Sequence, residues 1–143
     1  MRCRAQWEYG AVVACAVPVN PPPLGCDMGS SQDRGRAGEA LAAAYLVLVG
    51  SRIVAQNVRL GGVEVDLIVD DGPARVVVEV RVRSRADYGG AAATLDRAKC
   101  ARLRRAAQAL MQLGVTEPRI DVVTVDLGPD TATIVHHRNA VTD

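Results

Sequence analysis

The stretch from Val63 to Arg83, VEVDLIVDDGPARVVVEVRVR, sets Glu64, Asp66, Glu79 and Arg81 into a valine-rich run that otherwise asks to be buried. Side chains alternate along a strand, so Glu64 and Asp66 share one face, with Val63, Val65 and Leu67 on the other. By the same rule Glu79, Arg81 and Arg83 share a face, and Val78, Val80 and Val82 turn away. With Gly72 and Pro73 at the centre of the turn, Asp66 falls opposite Glu79 and Glu64 opposite Arg81. Opposed Cβ atoms in an antiparallel pair lie roughly 4.5–5.5 Å apart. Two carboxylates at that range repel unless a cation sits between them or one is protonated. A hard divalent ion, Mg²⁺ or Mn²⁺, resolves the conflict: it takes oxygen ligands and is often held by one or two carboxylates, with water and phosphate completing its shell. The placement depends on register, since a turn one residue longer would undo it. A plainer reading of the same acids is a ladder of cross-strand ion pairs, Glu64 with Arg81 and Glu79 with Arg83.

The elements that must hold these groups follow from periodicity. GRAGEALAAAYLVLVG (35–50) reads as a helix, apolar almost all round and therefore expected to be buried, with Gly50 as its stop. Strands are expected over 52–60, 63–69 and 75–83, with turns at Gly61-Gly62 and DDGPA. SRADYGGAA is loop, and a long helix then runs to Gly114. Strands at 119–127 and 132–137 complete an order of α-β-β-β-α-β-β. Residues 1–33 read as an irregular or disordered segment, broken by the proline-rich PVNPPPLGC and the polar GSSQD, ahead of one domain over 34–143. Met28 stands just before that domain and is a candidate start; the intact mass of the natively expressed protein decides between it and Met1.

Composition narrows the classes. A chain of 143 residues is long enough for a real core. Its net charge of +1 announces no global polyanion partner, so any basic surface is local. One Trp, three Tyr and no Phe argue against an aromatic platform that stacks single-stranded bases. The cysteines, Cys3, Cys15, Cys26 and Cys100, lack the spacing of a zinc knuckle or redox motif, which suits a reduced, cytoplasmic protein. No apolar run reaches the ~18 residues of a membrane span. The apolar AVVACAV (11–17) is short for a signal segment and follows Glu8 closely.

Several quoted features together resemble one family. These are the GE of the first helix (Gly38-Glu39), EVDLIV, VVVEVRVR, the following Tyr88-Gly89, the helix with Lys99, RIDVV and the closing IVHHRNAV. The pattern, over about residues 34–140, resembles the YraN-type family of small bacterial proteins, assigned to the restriction-endonuclease-like PD-(D/E)xK nuclease superfamily. The resemblance implies an αβββαβ core with a mixed central sheet flanked by helices. It also implies that Asp66 and Glu79 are metal ligands, that Glu39 is an accessory acid reaching the same site, and that Glu64 is the acid two places before the metal aspartate. Arg81 departs from the family pattern, standing where lysine is usual. Val63 where glycine is usual, and Tyr88 where phenylalanine is common, are lesser departures.

Phosphodiester hydrolysis needs an activated water and relief of charge on phosphate, which bound metal ions and nearby cations supply. Arginine forks well onto phosphate but cannot act as a base near neutral pH. Lys99, the single lysine among 17 cationic side chains, falls in line with Leu103, Ala106, Leu110 and Leu113, the stripe expected to face the sheet. It is a candidate to take over part of the missing lysine's role; the alternative is a stem lying at the core edge. Arg83, Arg85, Arg102 and Arg105, with Arg97 and Arg104, could form a salt-sensitive stripe for phosphate contacts, or no more than a solvated face. His136 and His137 point to opposite faces and make no ligand pair, while Arg119 and Asp121 fit a structural ion pair. The expectation is therefore a metal-dependent endonuclease acting on DNA, branched or structured forms included. The alternatives are a catalytically degenerate nucleic-acid-binding protein and a protein-interaction module on the same fold. A homodimer would suit an enzyme that cuts two strands.

Overall fold

A computed structural model describes residues 13–18, 31–84, 95–128 and 131–142 of the chain. The elements are β1 (Val13–Pro18), α1 (Ser31–Leu48), β2 (Arg52–Leu60), β3 (Val63–Asp71), β4 (Ala74–Ser84), α2 (Arg97–Gln112), β5 (Arg119–Leu127) and β6 (Thr131–His137). They form one mixed sheet in the order β1-β6-β5-β4-β3-β2. Only β4 and β5 run parallel, joined by the α2 crossover; every other neighbour is antiparallel. The succession α1-β2-β3-β4-α2-β5 is the restriction-endonuclease-like order that the sequence leads one to expect.

The two helices cover opposite faces of the sheet. On one, Leu103, Ala106 and Leu110 of α2 pack on Val65, Val77, Ile120 and Val122. On the other, Ala42, Tyr45 and Leu46 of α1 pack on Leu67, Val78, Val123 and Ile134. Central strands buried on both sides explain the near-continuous valine of β4.

Four expectations need correction. Val13–Pro18, inside the segment expected to be irregular, is an edge strand on β6, whose outer backbone groups would otherwise lack a sheet partner. Helix α1 is buried on one face, through Gly38, Ala42, Tyr45 and Leu46, and Leu48 is 79% exposed; among the described residues the sheet covers one side of the helix and no second layer covers the other. Leu113 caps α2 and lies exposed rather than continuing its buried stripe, to which Cys100 and Ala107 belong instead.

The fourth concerns β3. Val63 and Val65 enter the α2 core, but Leu67 and Val69 enter the α1 core, so these four do not share a face. The break falls at Asp66. Asn57 and Asp66 lie between the paired positions Gln56–Leu67 and Val58–Val65, and Asn57 has φ +48. Asparagine is among the few residues that enter this left-handed region without severe penalty. A second irregularity lies between Ile53 and Ala55. The kinked β2–β3 pair thus turns Asp66 out of ordinary strand alternation at the point where a functional side chain is wanted.

Candidate active site

The β3–β4 hairpin has the register read from its turn: Asp71 pairs with Ala74, and the ladder runs to Leu67–Val78. It stops there, one pair short of Asp66 and Glu79. Strand β4 continues along β5 through Ser84. The Val80 N–H, beyond the end of the β3 ladder, donates to the Asp66 carboxylate at 2.8 Å. Asp66 therefore sits in the cleft between two parting strands, fixed by the backbone it helps to satisfy.

Glu79 is almost fully buried, and its Oε1 lies 2.6 Å from Lys99 Nζ. Lys99 stands in the first turn of α2, where Asp96 caps the helix by accepting from the Lys99 backbone N–H at 2.7 Å. A cation near a helix N-terminus opposes the helix dipole and is ordinarily unfavourable by roughly 0.3–1 kcal/mol. Its contact with Glu79 offsets that penalty. The Asp66 and Glu79 carboxyls are near enough to influence each other's titration.

Burial is the main reason both carboxyls titrate above their ordinary range. For Glu79 the Asp66 charge adds to it, against the Lys99 contact and the Arg81 charge. For Asp66 the Val80 N–H and the Lys99 charge oppose the burial, while Glu64 reinforces it. Glu39, on α1, joins the same field: burial first and the Asp66 charge second push its carboxyl up, Glu64 adds to this, and a hydrogen bond with the Asn57 side chain opposes it. Gly38 lets α1 approach closely enough for that, because a Cβ there would lie 2.1 Å from Val82 Cγ2.

The acids at the turn of the same hairpin behave in the opposite way. Asp70 pairs with Arg52 and Arg75, and Asp71 with Arg119 and Arg138. These arginines hold both carboxyls below the usual aspartate range. One hairpin thus carries structural acids at its tip and strained acids at its open end. Groups pushed away from their ordinary titration in a cleft mark candidate sites.

The structure therefore brings Glu39, Asp66, Glu79 and Lys99 together, with Glu64 and Arg81 close enough to act on their charges. Glu79 pairs with Lys99, not Arg83, whose Nε lies 3.9 Å from Asp126 Oδ1. Arg102 and Arg105 lie exposed on the outer side of α2, whereas Arg104 donates to the Thr142 carbonyl. Arg85 lies outside the described residues. Among the described residues no three Asp, Glu, His or Cys side chains converge to hold a metal. The available donors are the Asp66 and Glu79 carboxylates, and two such oxygen donors match the way Mg²⁺ or Mn²⁺ is commonly held.

Sequence reasoning missed the supporting parts. Within NVR the only signal for the positive φ of Asn57 is the weak one that asparagine tolerates it. The buried Asp121 carboxylate accepts from Arg119, His136 and the Asn139 backbone N–H, each bond measuring 2.8–2.9 Å. His136 in turn meets the Tyr45 ring edge-on at 5.8 Å. Arg119–Asp121 is thus the structural pair expected, and it recruits a histidine read only as a poor ligand.

The family profile described as Uncharacterised protein family UPF0102 matches residues 38–125, which spans α1 from Gly38, β2 to β4, α2 and nearly all of β5. The chain belongs to the UPF0102 family. A UPF0102 protein of Symbiobacterium thermophilum is 46% identical over 99 residues, 67% of this chain and 84% of that one. One from Shewanella sediminis is 41% identical over 100 residues, 68% of this chain and 86% of that one. A Bordetella parapertussis relative is 40% identical over 122 residues, 78% of this chain and 69% of its own. The UPF0102 match contains every acid of the candidate site and Lys99. No described helix is long and apolar enough to cross a membrane.

Proposed function

We propose that this protein is a metal-dependent endonuclease that hydrolyses phosphodiester bonds in DNA, branched or structured forms included. The observation that carries the reading is the pair of a half-buried Asp66 and a buried Glu79, both carboxyls pushed up, with the Lys99 ammonium 2.6 Å from Glu79. Two carboxylates set against each other repel, and a cation held between them relieves that repulsion, which supports a cation site here. Mg²⁺ or Mn²⁺ bound there would supply Lewis-acid stabilisation and a more acidic water.

The chain's own groups supply the rest. Asp66, held by the Val80 N–H, fixes one ligand position, and Glu79 the other. Lys99 and Arg81 place positive charge where a scissile phosphate would lie, and Arg81 donates without exchanging a proton. Glu39 faces the same acids from α1 and can accept a proton from a water between them. Arg102 and Arg105 lie exposed on α2, suited to backbone phosphates rather than base edges.

The deciding experiment is cleavage of labelled single-stranded, duplex, flap and four-way-junction DNA with Mn²⁺, Mg²⁺ or EDTA, beside Asp66→Ala. Metal-dependent cutting that is lost in the variant supports the nuclease. Arg81 in the lysine's place favours a second reading, a binding protein without catalysis. Folded protein that cuts nothing, yet binds DNA in a salt-dependent way, would select it.

A further inference from the structure

Resting on that metal-site reading, we infer that Lys99 is the resident cation of the Asp66–Glu79 pair, so that a divalent ion enters only by exchanging with its ammonium. Lys99 Nζ is 2.6 Å from Glu79 Oε1, well inside the space a divalent ion coordinated by that oxygen would need. The two partners differ in freedom. Glu79 is 8% exposed and rises from a central strand, paired with β5, while Lys99 is 34% exposed on a flexible four-carbon stem. The lysine is the partner that can leave.

Its backbone stays where it is, because Asp96 caps the helix through the Lys99 N–H. The displaced ammonium therefore remains beside the site without its Glu79 partner, since the one other carboxylate at this helix end, Asp96, is engaged as the cap. An anionic phosphate oxygen is the partner that satisfies it there. Arrival of the metal would release the lysine, and a released lysine would favour phosphate. The same lysine then lowers the affinity for metal alone and raises it when a phosphodiester is present.

Mn²⁺ titration by calorimetry at pH 8 tests this, on wild type, Lys99→Met and Lys99→Gln, with thermal melts to establish folding. Both variants are expected to bind Mn²⁺ roughly two- to fivefold more tightly than wild type, the upper range of a solvent-accessible ion pair. Adding a non-cleavable phosphorothioate oligonucleotide is expected to tighten Mn²⁺ binding in wild type more than in either variant. Folded variants that bind Mn²⁺ no more tightly than wild type would overturn the exchange while leaving a metal site in place. Absence of Mn²⁺ binding in all three proteins would overturn both the exchange and the metal-dependent reading beneath it.

Discussion

Gly38 of α1 lies against Val82 of β4 so closely that a Cβ at 38 would stand 2.1 Å from Val82 Cγ2. The contact sets how near Glu39 comes to Asp66 and Asn57, so one glycine governs both packing and site geometry. Gly38→Ala should destabilise the fold by about 1–3 kcal/mol, the usual cost of overpacking a core. Denaturant unfolding measures it. Pairing it with Val82→Ala removes the obstructing methyls and should recover most of the loss; if the double variant is no more stable than Gly38→Ala alone, steric contact is not the cause.

Neutralising the strained pair should stabilise the protein while destroying its proposed activity. Asp66→Asn keeps an oxygen that can accept from the Val80 N–H and removes a charge that burial and Glu64 disfavour. The folded-state titration of Asp66 and Glu79 is raised, so their contribution is fully present at low pH and is lost as pH rises through the raised values. At pH 7 the variant should therefore gain about 0.5–2 kcal/mol over wild type, in the range of other relieved functional strains. The gain should fade as pH drops and the wild-type carboxyls take up protons. Thermal melts from pH 4 to 8 read the trend; a gain that grows toward acid would contradict it.

Much of this arrangement was legible because two periodicities dominate it. Turn chemistry at Gly72-Pro73 fixed the hairpin register, and the Leu103–Ala106–Leu110 spacing pointed Lys99 toward the sheet, where it meets Glu79. What escaped notice depends on departures from period. The αL conformation of Asn57 reverses strand alternation, and no rule of spacing foretells that Val65 and Leu67 enter different cores. The mean composition of α1 suggested burial all round, but burial depends on what lies opposite, and only one side of α1 meets the sheet. His136 looked idle because its partner, Asp121, lies on a neighbouring strand.

The Asp121 cluster should dominate the acid limb of stability. Its carboxyl is held below the usual range, with the bonds from His136, Arg119 and the Asn139 N–H outweighing a burial that pushes it up. A lowered folded-state value gives stability that is present above the unfolded range and lost as pH falls through the folded value. Asp121→Asn leaves the Arg119 charge facing a neutral amide and should cost about 3–5 kcal/mol at pH 7. That cost should shrink below pH 4, where wild type loses the same contacts. Equal melting temperatures for the two proteins at pH 7 would show that Asp71 alone suffices for Arg119.

The exposed arginines of α2 give the last prediction, because two neighbours on one helix have different duties. Arg104 donates to the Thr142 carbonyl and so ties the C-terminal segment to α2, whereas Arg102 and Arg105 lie exposed on the same helix. If Arg102 and Arg105 meet backbone phosphates, replacing both with alanine should weaken DNA binding similarly for every sequence. Each lost contact should also flatten the plot of log affinity against log salt by about 0.9 for duplex DNA, because fewer counterions are released. The double variant should then lose up to about 1.8 in slope, with an unaltered melting temperature. Arg104→Ala should do the reverse, lowering the melting temperature with little change in slope. Fluorescence anisotropy between 50 and 200 mM salt separates the two; an unchanged slope in the Arg102/Arg105 variant would move the DNA path off α2 and toward the β4 side of the site.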